Sequence, residues 1–167
     1  MKRGNLVIQA GLLLAGALFA AAEERPARFL RVPVWTASEE PPSPATVRAA
    51  VEGAEARVVS VRGPEDDLVL IVVLDLAGDL ALVDLAKRAL VAELAKLPDN
   101  VWVALMRAQD GLRVLLDPVR DREKLTAAVQ AVTASGNSGF LDTVETVARL
   151  ADGMLRKADV RLAVLYI

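Results

Sequence analysis

The sequence has neither histidine nor cysteine anywhere in its 167 residues. Without histidine, the commonest general base and the commonest zinc ligand are gone, along with every Ser-His-Asp or Cys-His arrangement. Without cysteine there are no disulfides, so an apolar core must supply stability with no covalent staple. An excess of positive charge is missing too: 20 basic residues stand against 22 acidic ones, a net charge of −2. Nothing there supplies the basic face that nucleic acid requires. A phosphate loop is absent as well, since Ser135-Gly136-Asn137-Ser138-Gly139 has the composition but not the lysine.

What is present is length for one domain and a large apolar fraction, 54% of residues, with mean hydropathy +0.37. Part of that excess lies at the start. Lys2 and Arg3 precede Leu6-Val7-Ile8 and the run Gly11 to Phe19, followed by Ala20-Ala21-Ala22 and then Glu23-Glu24. A basic region, an apolar stretch and a small-residue cleavage site read as a signal peptide over residues 1–22. An uncleaved membrane anchor is the alternative, though the apolar run is short for one. No cysteine follows it, which excludes a lipoprotein anchor. The expectation is an exported protein, periplasmic or extracellular, that meets membrane only through this segment. Cleavage removes Lys2 and Arg3 and leaves 18 basic residues against 22 acidic, near −4.

Residues 23–45 read as an extended segment and a linker. Arg28 to Trp35 could form a short strand with Phe29 or Trp35 against the domain, and the prolines at 41, 42 and 44 block helix and ladder alike. Residues 46–63 suggest a β-hairpin turning at Gly53, with Ala56 to Arg62 as its second strand. The run Leu68 to Val73 is apolar without alternation, which suits a central strand buried on both faces. It ends at Asp75. Leu82-Val83, Ala86, Leu90, Leu94 and Leu97 then recur at helical spacing and are expected inward, up to Pro98. Val101 to Met106 is a strand, Asp110-Gly111 a hairpin turn, and Leu112 to Leu116 the returning antiparallel strand, broken at Asp117-Pro118. Asp121 to Val132 reads as a helix. Phe140 to Arg156 reads as another, burying Leu141, Val144, Val147-Ala148, Ala151 and Leu155, and Val160 to Ile167 as a last strand. This order predicts an α/β fold: a doubly wound, mostly parallel sheet with one antiparallel edge strand, over residues 64–167. Ending on a buried strand, it reads as incomplete at the C-terminus.

A strand ending in Asp75, a long helix, a hairpin edge and a small-residue loop opening another helix together resemble the von Willebrand factor type A domain. The resemblance covers about Leu68 to Ile167 and is nearest to exported bacterial proteins of that family. It implies a Rossmann-like fold and a metal-ion-dependent adhesion site, built from an Asp-x-Ser-x-Ser motif, a Thr from a later loop and an Asp from a last loop. There a partner's carboxylate completes the shell of a divalent cation. By position, Asp75 is the first Asp, Ala77 stands for the first Ser, Asp79 for the second, and Ser138 for the Thr. The last Asp would lie past Ile167. The implied metal ligands are therefore Asp75, Asp79 and Ser138, and the implied ion is Mg2+ or Mn2+, whose preference is for hard oxygen donors. Ala77 offers no oxygen, so the motif is degenerate.

Three readings follow. The first is a non-catalytic module that docks a protein partner at the carboxyl ends of the strands, where open α/β sheets gather their binding residues. The second is a metal-free scaffold in which Asp79 and Ser138 cap helices. The third is an enzyme with Asp75 as nucleophile in phosphoryl transfer or hydrolysis. Dehalogenase-like phosphatases want a second acid where Ala77 stands, and receiver-like folds want an acidic pair after the strand, whereas Asp66-Asp67 precedes it.

Overall fold

The computed structural model describes residues 30–37, 40–77, 80–134 and 137–167. The proposed signal peptide, Phe29 and Asp79 lie outside them. The chain divides into two compact units, Met1–Ala37 and Ser38–Ile167. In the first, residues 30–37 carry no helix or strand, and Trp35 is exposed, as are Leu30, Val32 and Val34. Among these described residues the expected short strand is absent, and Pro33 removes a ladder donor.

The second unit begins with a two-stranded ribbon, β1 (Ala49–Val51) and β2 (Ala54–Ala56), paired antiparallel. Its turn residues Glu52 and Gly53 both take positive φ, 51° and 82°, which suits a tight two-residue turn. The ribbon is shorter than expected, since residues 57–67 form no strand.

Four strands make the main sheet in the order β5-β4-β3-β6: β3 (Leu68–Leu74), β4 (Val101–Arg107), β5 (Arg113–Val119) and β6 (Arg161–Tyr166). β3 lies parallel to β4 and β6, and β4 pairs antiparallel with β5. The sheet is mixed and mostly parallel, as the strand patterns predicted. One expectation fails at Asp117-Pro118, which does not break β5. Pro118 sits within an edge strand, where a missing N–H costs little, and the pairing with β4 absorbs irregularity through register shifts.

Three helices cover both faces: α1 (Leu80–Leu94), α2 (Arg122–Ala131) and α3 (Phe140–Lys157). On one face Leu90 and Leu94 of α1 and Leu125 and Val129 of α2 pack with Val72, Leu74, Val103 and Leu105. On the other, Val147 and Ala151 of α3 pack with Val69, Ile71, Val73, Ala104 and Met106. β3 thus feeds alternate side chains into two cores, which is why its sequence shows no alternation. The helix faces depart from expectation in places. Leu82 is 58% exposed and Leu141 81% exposed, Val144 and Ala148 face outward, and α3 instead buries Thr143 with Val147 and Ala151. Among the described residues no helix is long and apolar enough to cross a membrane.

Candidate functional site

Asp75 follows β3 at the carboxyl-end rim of the sheet. Its backbone N–H donates to the Ile167 carbonyl at 2.7 Å, which ties the end of β3 to the end of β6. By strand alternation its side chain falls on the α3 face, with Val69, Ile71 and Val73. There the carboxylate accepts three hydrogen bonds: Ser138 Oγ donates to Oδ2 at 2.5 Å, Gly139 N–H to Oδ1 at 3.0 Å, and Phe140 N–H to Oδ2 at 3.0 Å. Residue 139 is the N-cap of α3 and, being glycine, has no side chain to cap with. Asp75 therefore caps this helix across the chain, satisfying orphan N–H groups of its first turn.

Gly139 is required by space rather than conformation. A Cβ there would lie 1.9 Å from the Ala108 carbonyl oxygen at the end of β4. Ala108 N–H in turn bonds the Leu74 carbonyl at 2.8 Å. Three chain segments therefore meet at van der Waals distance: the end of β3, the end of β4 and the start of α3. Around them Asn137 Nδ2 donates to Asp110 Oδ1 at 3.2 Å, the Thr143 hydroxyl donates to the Gly139 carbonyl at 2.7 Å, and Phe140 meets Tyr166 edge to face at 4.8 Å.

The structure brings Asp75 and Ser138 together, 63 residues apart in sequence. Asp79 lies outside the described residues, and Ala77 uses its N–H on the Asp75 carbonyl at 2.8 Å. Ser138 is no helix cap of its own; it donates to the carboxylate that is one. In kind, one carboxylate and one hydroxyl in contact suit a hard cation, and Oδ1 of Asp75 accepts one hydrogen bond from the described residues, which leaves it lone-pair capacity. Among the described residues no group of three or more acidic, histidine or cysteine side chains converges.

No protein-family model matches the chain, and no curated protein matches it. Among solved structures, the three N-terminal domains of the type V pili tip protein Mfa5 from Porphyromonas gingivalis are similar at 14% identity and TM-score 0.45, with 60% of this chain and 19% of that one covered. The conserved hypothetical protein BatB from Bacteroides thetaiotaomicron is similar at 14% identity and TM-score 0.40, with 50% of this chain and 45% of that one covered. The chain spans less than half the length of either.

Sequence reasoning missed a second cluster, at the opposite rim. Arg120 lies over the Trp102 ring at 4.3 Å and donates to Asp67 Oδ1 at 2.6 Å. Asp66 accepts from Gly63 N–H at 2.7 Å and from Arg62, and these contacts hold its pKa below the ordinary aspartate value, the Gly63 bond foremost. Arg161 and Asn100 both donate to the carbonyls of Pro64 and Asp66. The loop entering β3 is stitched down by residues at or beside the ends of three strands. No short-range pattern announces the bonds from Asn100, Arg120 and Arg161 to this loop, because each spans 34 residues or more.

Proposed function

We propose that this chain is an exported, non-catalytic protein-interaction module of the von Willebrand factor A type, which engages its partner at the rim around Asp75. The carrying observation is the convergence of Asp75, Ser138 and the first residues of α3, with exposed Phe140, Leu141 and Ile167 beside them. A partly exposed polar centre next to apolar side chains has the make-up of a protein interface. In this reading Asp75 and Ser138 hold Mg2+ or Mn2+, with Asp79 the third candidate ligand and water filling the shell that Ala77 cannot. The ion would supply an open position for a carboxylate of the partner. The residues themselves fix the Asp75 carboxylate through α3 and orient the Ser138 hydroxyl toward it.

Titration calorimetry of residues 23–167 with Mg2+ and Mn2+, run beside Asp75→Ala, tests this. Saturable binding lost in the variant supports the metal-dependent module. No binding sinks the metal and leaves partner docking to a metal-free rim.

The bonding of Asp75 to α3 favours a second reading, in which the acid is a structural cap in a metal-free scaffold. That reading expects Asp75→Ala to lower thermal stability equally with and without divalent cation. The metal reading expects the gap between the two proteins to widen when cation is added.

A further inference from the structure

The opposite face of the same rim carries polar groups that the Asp75 site does not use. Arg107 ends β4 and pairs in register with Leu74 on one side and Arg113 on the other. Residues directly opposite on antiparallel strands project to the same face, so the two arginine side chains leave one face of the sheet from neighbouring strands. Leu74 belongs to the core under α1 and α2, which places Arg107 and Arg113 on that face and Asp75 on the other. Like charges directly opposite in a ladder are unfavourable. Yet no described acid compensates them. Neither arginine makes a side-chain hydrogen bond or ion pair to any described residue, and Asp110, the nearest acid in sequence, gives its Oδ1 to Asn137.

Two further observations separate this pair from ordinary surface arginines. Arg107 is half-buried, and its Nε is shut from solvent with no acceptor. Gln109, two residues on, is 0% exposed, and both atoms of its amide lack a partner. Ala108 N–H still bonds the Leu74 carbonyl, so Gln109 enters the turn directly after the last of these bonds, at the same strand end as Arg107. Buried polar groups are ordinarily satisfied, because one left alone has given up its hydrogen bonds to water with nothing in return. Here a buried donor, a buried amide and two cations collect at one strand end.

We infer that Arg107 and Arg113 form an oxyanion-binding site, with the buried Gln109 at the same strand end, for a carboxylate or phosphate group held between the two guanidinium forks. Planar guanidinium groups bind such oxygens bidentately, and one anion between them converts a repulsive pair into two attractive ones. The site needs neither a metal nor Asp75.

The test follows the Arg107 Nε–H signal by 1H–15N NMR while inorganic phosphate, or separately acetate, is titrated against sodium chloride at matched ionic strength. The expected result is a saturable shift with at least one oxyanion and none with chloride. Phosphate alone points to a phosphorylated ligand, whereas acetate as well points to carboxylates. Arg113→Gln is expected to weaken the affinity at least tenfold while the amide spectrum outside the rim stays in place. Without anion, the same variant is expected to melt no lower than the parent, since it relieves repulsion. Asp75→Ala is expected to keep the anion shift, which separates this site from the metal reading. Shifts no larger than those from chloride, shifts that persist in Arg113→Gln, or a marked loss of stability in that variant without anion would each overturn the assignment.

Discussion

Gly139 shows how much one residue can decide. Its φ of −123° is open to any residue, so its demand is purely for room against the Ala108 carbonyl. Gly139→Ala must push α3 off the end of β4, because a backbone atom cannot rotate aside as a side-chain tip can. Overpacking of this kind costs about 1–3 kcal/mol. The same shift draws the Gly139 and Phe140 N–H groups away from Asp75. The expected outcome is a lower urea midpoint and, if cation is bound, weaker binding in the calorimeter. In the sequence, Gly139 is one residue of a small-residue loop opening a helix. Only the meeting of three segments shows it to be a spacing requirement.

At the scale of the element, α3 separates pattern from burial. Its sequence offers apolar residues on more than one flank, and the helix buries Thr143, Val147 and Ala151 while leaving Leu141 in solvent. Val147→Ala is expected to cost about 1.5–3 kcal/mol by chemical denaturation. Leu141→Ser should change stability by no more than about 0.5 kcal/mol, as exposed substitutions generally do. The reverse ranking would place the wrong face of α3 against the sheet. Threonine at 143 was not expected in the core. It is tolerated there because its hydroxyl bonds back to the Gly139 carbonyl and so carries no unsatisfied group inward.

For the whole molecule, acid should act first through the loops at the amino ends of the strands. Asp66 and Asp121 both have lowered pKa values. The Gly63 N–H leads for the first, and the Lys124 N–H, with that residue's side chain and the Glu123 N–H, for the second. A carboxyl whose folded pKa is depressed adds stability that is fully present above its unfolded value, about 4. That stability is lost as pH falls through the lower folded value. Melting temperature is therefore expected to hold from neutral pH down to about 5 and then to fall. Asp121→Ala should flatten part of that fall, because Asp121 is the N-cap of α2 and bonds the Glu123 and Lys124 N–H groups. An acid limb unchanged in Asp121→Ala would assign the loss to other carboxylates.

The sequence determined the α/β class, the succession of strands and helices from Leu68 onward, the Asp110-Gly111 turn and the placing of Asp75 at a strand end. Those features rest on local causes: hydrophobic period, turn residues and helix stops within a window of a few residues. It also singled out Ser138, through likeness to a known pattern. The tertiary structure alone decided that Asp75 caps α3, that Gly139 lies against β4, that Arg120 covers Trp102, and that Arg107 faces Arg113 with no counter-charge among the described residues. Each of these joins residues that only the completed sheet brings within a few ångströms. A short sequence window holds one partner of each pair, and the energy of the contact belongs to both.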